Sequence, residues 1–100
     1  MKYEGRRIMI KVETVVINEV GLHARPASVF VQTANRFSSQ ITIRNMKDNR
    51  PAINAKSILQ VLMLGVCMGD RVEMIFEGED EAIAAEELKT LIDTDFAGHL

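Results

Sequence analysis

His23 and Arg25 stand two positions apart in the stretch G-L-H-A-R-P-A, residues 21–27, where a strand-like run gives way to a helical one. With His23 at or next to the N-cap, Ala24 and Arg25 fall in the first helical turn, whose amides have no intrahelical partner. Pro26 belongs in that turn too, because a missing N–H is tolerated there. The dipole makes such a helix mouth positive. That is a poor place for an imidazolium and a good one for an anion attached to the imidazole. Arg25 adds a full charge in a guanidinium fork that suits phosphate. A nucleophilic ring nitrogen, a cradle of Ala24 and Arg25 amides, and the Arg25 guanidinium together make a small phosphoryl-accepting site. An isolated histidine would read as a polar cap; Gly21, Arg25 and Pro26 around it favour the acceptor. No metal or other cofactor is expected, since Glu19 is the one acidic neighbour and no second histidine is near.

The elements that must hold this site follow from periodicity. Ile8–Ile17 is β-branched and partly alternating, with Val12, Thr14 and Val16 on one face, which predicts a strand. Over residues 24–37 the period changes: Ala27, Phe30, Val31, Ala34 and Phe37 form one apolar helical stripe, with Ser28, Gln32, Asn35 and Arg36 off it. Segments 40–44 and 50–54 flank the turn cluster N-M-K-D-N and read as a hairpin, with Pro51 at a strand start or edge. Ser57 opens a short helix through the capping box S-I-L-Q, in which Gln60 reaches back, and Gly65 ends it. Val72, Met74 and Phe76 alternate in a fourth strand. A last helix spans 80–92 with Ala84, Leu88, Leu91 and Ile92 inward, and Asp80 and Glu81 suit its dipole. The order βαββαβα predicts an α+β open-faced two-layer sandwich, a four-stranded antiparallel sheet with three helices on one face.

The helix opened by Ser57 is apolar almost all round, although a two-layer sandwich buries one side only. Leu59, Leu62 or Met63 is therefore expected in solvent, as an apolar patch for protein partners. The alternative is a helix covered by loops.

One hundred residues suffice for one core. A leader running into the first strand is expected over 1–10, the domain over 11–93 and a tail over 94–100, with His99 solvated. A net charge of −2 with scattered basic residues gives no footprint for nucleic acid. No run is long enough for membrane insertion and no secretory leader is evident, so a cytoplasmic monomer is expected. The single cysteine, Cys67, lies between Val66 and Met68 and is expected to be buried or half-buried.

G-L-H-A-R-P-A followed by F-V-Q-T-A, together with N-A-K-S-I-L-Q-V-L-M-L-G-V at 54–66, resembles the histidine-containing phosphocarrier HPr of the bacterial phosphotransferase system. The resemblance covers roughly residues 11–93. It implies that His23 takes a phosphoryl group on Nδ1 from phosphorylated enzyme I, with phosphoenolpyruvate as ultimate donor, and passes it to an EIIA-type acceptor. It implies that Ala24 and Arg25 hold that group, and that Ser57 matches the serine modified by an HPr kinase/phosphorylase. It further implies that the first two helices present the histidine to partners, through Ser28, Val29, Gln32, Leu59, Gln60, Leu62 and Met63. Such a protein is a carrier with no independent turnover. Val20 stands where many sugar-transport members have Asn or Ser, and the N-E-V-G-L-H variant and the C-terminal sequence are similar to the nitrogen-type regulatory branch. A regulatory binding module of that branch, acting through the state of Ser57 or His23, is the alternative function; a small-ligand-binding α+β domain is a third.

Overall fold

Along β4 (Arg71–Glu77), Val72, Met74 and Phe76 are buried while Glu73, Ile75 and Glu77 face the other side. The pleat requires this alternation once one face of a sheet is covered. The computed structural model describes residues 9–99, so residues 1–8 of the leader and strand start expected over 1–10 lie outside the described residues. β4 is central: β1 (Met9–Val15) and β2 (Gln40–Asn45) pair antiparallel with it on either side, and β3 (Ile53–Asn54) pairs with β2, giving the order β1-β4-β2-β3. Met74 lies between Val12 and Ile43, and Phe76 between Ile10 and Ile41. These rows form the floor of the core. On the open face Glu73 accepts from Arg44 at 3.0 Å and pairs with Lys11 at 3.7 Å. Lys11 is the exposed partner, and an ion pair with an exposed lysine contributes little.

Three helices cover the inner face: α1 (Ala24–Ala34), α2 (Ile58–Met63) and α3 (Glu81–Asp93), with α1 packed on both others. The expected order and open-faced sandwich are what the structure contains. Ala27, Phe30, Val31 and Ala34 of the α1 stripe are buried, as are Ala84, Leu88, Leu91 and Ile92 of α3. α1 stops three residues short of the predicted end. Asn35 caps it, and the Asn35 side chain donates to the carbonyls of Val31 (2.9 Å) and Lys56 (3.0 Å). Phe37 thus lies beyond the helix, half-buried under the Arg36 guanidinium, 5.7 Å from its ring centroid.

The hairpin differs more. Only two residues of the predicted 50–54 strand join the ladder, since Pro51 has no N–H to offer. The preceding turn is organised by Arg50 instead. Its guanidinium binds Asp48 and donates to the Met63 and Leu64 carbonyls (3.1 and 2.9 Å), capping the C-terminus of α2 from outside the helix. Asp80 is a further departure. Rather than serving its own helix, its carboxylate takes the amides of Ser38 (2.8 Å) and Ser39 (2.9 Å) and the Ser39 hydroxyl. The Ser39 hydroxyl first, then the Ser38 amide, hold the Asp80 carboxyl down to about 2.

Past α3 the chain does not trail away as the tail expected at 94–100. Thr94 caps the helix, Phe96 N–H returns to the Leu91 carbonyl (2.7 Å) and Asp95 N–H to that of Ile92 (3.3 Å). This is the Schellman pattern, with Asp95 at C′ in left-handed backbone (φ 58°). Phe96, at the next position, is 1% exposed and joins the core. His99 is exposed, as expected. Cys67 is exposed rather than buried: in the turn after Gly65 the chain points Val66 inward and the next side chain out.

Candidate phosphoryl-acceptor site

The site begins in two loops strapped together. Loop 16–22 leaves β1, and loop 64–70 leaves α2. Val16 N–H donates to the Asp70 carbonyl (2.9 Å), Gly69 N–H to that of Val16 (2.7 Å), and Leu22 N–H to that of Val66 (3.0 Å). The Asp70 carboxylate steadies the second loop. It accepts from the Cys67 amide (2.8 Å), Lys47 (3.2 Å) and Asn45 (3.2 Å), and these donors, the Cys67 amide foremost, hold it below the usual carboxylate range. Gly21 lies where the loops touch. Its φ is +70°, and a Cβ there would meet the Val66 carbonyl oxygen at 2.1 Å and the Cys67 Cα at 2.8 Å. Glycine is required twice over, for backbone conformation and for space. Leu22, fully buried, then anchors the chain into the core immediately before the histidine.

His23 is the N-cap of α1 in extended backbone (φ −133°, ψ 170°), and its carbonyl accepts the first helical bond from Ala27 N–H (3.3 Å). The half-buried imidazole makes no capping bond and no hydrogen bond to the described residues. A polar cap is therefore not its role. Ala24 follows with φ +51°, a left-handed conformation that costs a non-glycine residue roughly 1–2 kcal/mol. Among the described residues the amides of Ala24 and Arg25 have no partner. Pro26, buried in the same turn, withholds no needed donor. Arg25 is exposed, and its guanidinium is engaged with no described residue. The structure thus brings His23, Ala24 and Arg25 to one helix mouth, with donors and charge that no described residue engages. No group of three or more potential metal-ligating side chains occurs among the described residues.

Ser57 caps α2 as predicted, its Oγ accepting from Gln60 N–H at 3.3 Å. The reciprocal half of the box is different: Gln60 Oε1 accepts from the Asn54 amide (3.0 Å), because Ser57 N–H is already bonded to the Asn54 carbonyl. Leu59 and Met63 are 66% and 67% exposed, with Leu62 and Ile58 partly so, while Val61 and Leu64 are buried. The apolar patch exists, and loops do not cover it. On α1, Gln32 is exposed and bonds the half-buried Ser28, both available to a partner. Val29 is not: it is 9% exposed and packs in the core, since its position on α1 falls beside Phe30 on the buried side.

Sequence reasoning missed the strapping of loop 16–22 by Val66, the left-handed Ala24 and the apolar fringe of Ile17, Val20 and Met68 (50%, 50% and 58% exposed). Gly21 was the available signal for the first. Alanine carries none for the second.

An open-faced α+β sandwich of this strand order, with a histidine at the mouth of its first helix, is the architecture of small phosphocarriers of the phosphotransferase system. The family model described as "PTS HPr component phosphorylation site" matches residues 10–94. The phosphocarrier protein HPr of Borreliella burgdorferi is 40% identical over 86 residues, 86% of this chain and 96% of that protein. The HPr-like protein Crh of Bacillus subtilis is 42% identical over 84 residues, 84% and 95% of the two chains. The crystal structure of HPr-C-His from Thermoanaerobacter tengcongensis superposes with a TM-score of 0.82 at 43% identity, covering 91% of this chain and 99% of that one. The chain also matches multiphosphoryl transfer proteins, spanning 23% of the length of that from Salmonella typhimurium. The chain belongs to the HPr family of phosphocarrier proteins. No helix among the described residues is long and apolar enough to cross a membrane.

Proposed function

We propose that this chain accepts a phosphoryl group on His23 Nδ1 from phosphorylated enzyme I and passes it to an EIIA-type acceptor in the cytoplasm. The supporting observation is the imidazole at the mouth of α1, which, like the two amides and the guanidinium beside it, is engaged with none of the described residues. In the transfer the imidazole nitrogen attacks phosphorus as the bond from phosphorus to the donor breaks, so one bond at phosphorus replaces another. The Ala24 and Arg25 amides and the Arg25 guanidinium then hold the dianionic group. The chain turns over nothing by itself; it is substrate and product of its partners. Ser28, Gln32, Leu59, Gln60, Leu62 and Met63 form the docking face for donor and acceptor. Incubation with enzyme I and labelled phosphoenolpyruvate should place an acid-labile phosphate on the wild type and none on His23→Ala, with the fold of the variant intact by circular dichroism. An unlabelled wild type beside a competent donor sinks the reading.

A regulatory role is the second reading, favoured by the Crh relatives, one of which is titled "the Bacillus subtilis Catabolite Repression HPr". Ser57, capping α2 next to the docking face, is the residue that would carry it. The dipole favours added charge at that cap, and a partner approaching the apolar patch would meet it. ATP and an HPr kinase/phosphorylase should then leave an acid-stable phosphate that is lost in Ser57→Ala.

A further inference from the structure

The Schellman slot that ends α3 is one in which glycine is the residue of choice, yet this chain places Asp95 there, followed by Phe96 in the same left-handed region (φ 58° at both). Aspartate tolerates the left-handed region better than most residues, and here its side chain also makes a specific contact. Asp95 Oδ1 accepts from Asn18 Nδ2 at 3.1 Å, joining the C-terminal turn to the loop that leads into the acceptor histidine. Asn18 is 6% exposed, and its Oδ1 has no hydrogen-bond partner among the described residues. A carboxylate only accepts, so Asp95 also dictates which way the Asn18 amide faces. The Asn18 carbonyl receives Gly21 N–H at 3.0 Å, and Gly21 abuts Val66, whose carbonyl takes Leu22 N–H. From Asp95 to His23 the contacts are unbroken. Phe96, buried in the core, holds the turn at the other end.

We infer that Asn18 and Asp95 are positioning residues for His23: the C-terminal turn latches the acceptor loop through one part-buried amide–carboxylate hydrogen bond. This rests on His23 being the acceptor, as proposed above. Asp95→Gly supplies the test, because it removes the carboxylate while giving the turn its preferred residue. The unfolding temperature should hold or rise. The rate of phosphoryl acceptance from phosphorylated enzyme I should nevertheless fall on the order of tenfold, as displaced reacting groups do. In the unphosphorylated protein, the amide resonances of Gly21 and Leu22 and the ring resonances of His23 should move. Asn18→Asp should be slower still, since it sets carboxylate against carboxylate. Adding Asp95→Asn to it should restore the bond with donor and acceptor exchanged, and with it the rate. Asp95→Gly with wild-type rate and unmoved loop resonances, or no recovery in the exchanged pair, overturns the latch. A wild type that takes no phosphoryl group refutes the proposed function instead, and the resonances still decide the latch.

Discussion

Two glycines of this chain share nearly the same backbone conformation, and replacing each by alanine separates conformation from space. Gly21 has φ +70° and Gly65 φ +63°. An alanine at either site incurs the left-handed penalty of roughly 1–2 kcal/mol, offset by a few tenths to 1 kcal/mol of lost freedom in the unfolded chain. At Gly65 nothing lies within 4 Å of the new Cβ, so Gly65→Ala should cost about 1 kcal/mol. At Gly21 the Cβ would be 2.1 Å from the Val66 carbonyl oxygen and 2.8 Å from the Cys67 Cα, both backbone atoms that cannot rotate aside. Relief requires loops 16–22 and 64–70 to part. That adds about 1–3 kcal/mol of overpacking and about 1 kcal/mol for the Leu22–Val66 hydrogen bond. Gly21→Ala should therefore cost about 3–5 kcal/mol, a large share of the roughly 5–15 kcal/mol of a domain this size. At about 4–8 °C per kcal/mol, the melting temperature should fall by about 12 °C or more, against about 5 °C for Gly65→Ala. Urea and thermal unfolding of the two variants, followed by circular dichroism, measure the difference directly. If the two fall within about 1 kcal/mol of each other, the close approach at Val66 does not hold the acceptor loop, and that reasoning is refuted.

Phe96→Ala should destabilise by about 3–5 kcal/mol, as loss of a buried aromatic does; a change under about 1 kcal/mol would mean the C-terminal turn frays. Asp80 has a folded-state pKa of about 2, below its ordinary 3.8, so its contribution is complete above the unfolded value and fades as pH drops from about 4 towards 2. Asp80→Asn should lower stability at neutral pH and flatten the stability–pH curve across that window, as acid titrations of both proteins by fluorescence-free circular dichroism would record. Leu59→Lys with Met63→Lys should leave the melting temperature within a few degrees and weaken binding to phosphorylated enzyme I by about tenfold or more, read by calorimetry; an unchanged affinity would remove α2 from the docking face.

What could be read from sequence was whatever repeats or sits next to itself in the chain. Alternation marked β4 through Val72, Met74 and Phe76, the 3.6-residue stripe marked α1 and α3, and Ser57 marked the start of α2. The histidine, its two amides and Arg25 are contiguous, so their convergence needed no fold. Several of the errors involve partners that local periodicity does not show. Asp80 looked like a helix-terminal charge because Ser38 and Ser39 were not visible as its neighbours. Gln60 was assigned to Ser57, when the Asn54 amide was the nearer free donor. Arg50 carried no pattern, although it caps a helix thirteen residues on. Residues past Asp93 read as tail because a Schellman turn with aspartate in the glycine slot is hidden from composition.

The placement of β4 between β1 and β2 also governs how the protein is made. Among the described residues β1 is the first strand, and its one hydrogen-bonding neighbour in the sheet is β4, the last. Loop closure across nearly the whole domain must precede that pairing, and such non-local contacts slow folding. Loop 64–70 and the Phe96 turn, which hold the histidine loop, are likewise late segments. The loop that carries His23 thus acquires its full setting only once loop 64–70 and the Phe96 turn have folded against it.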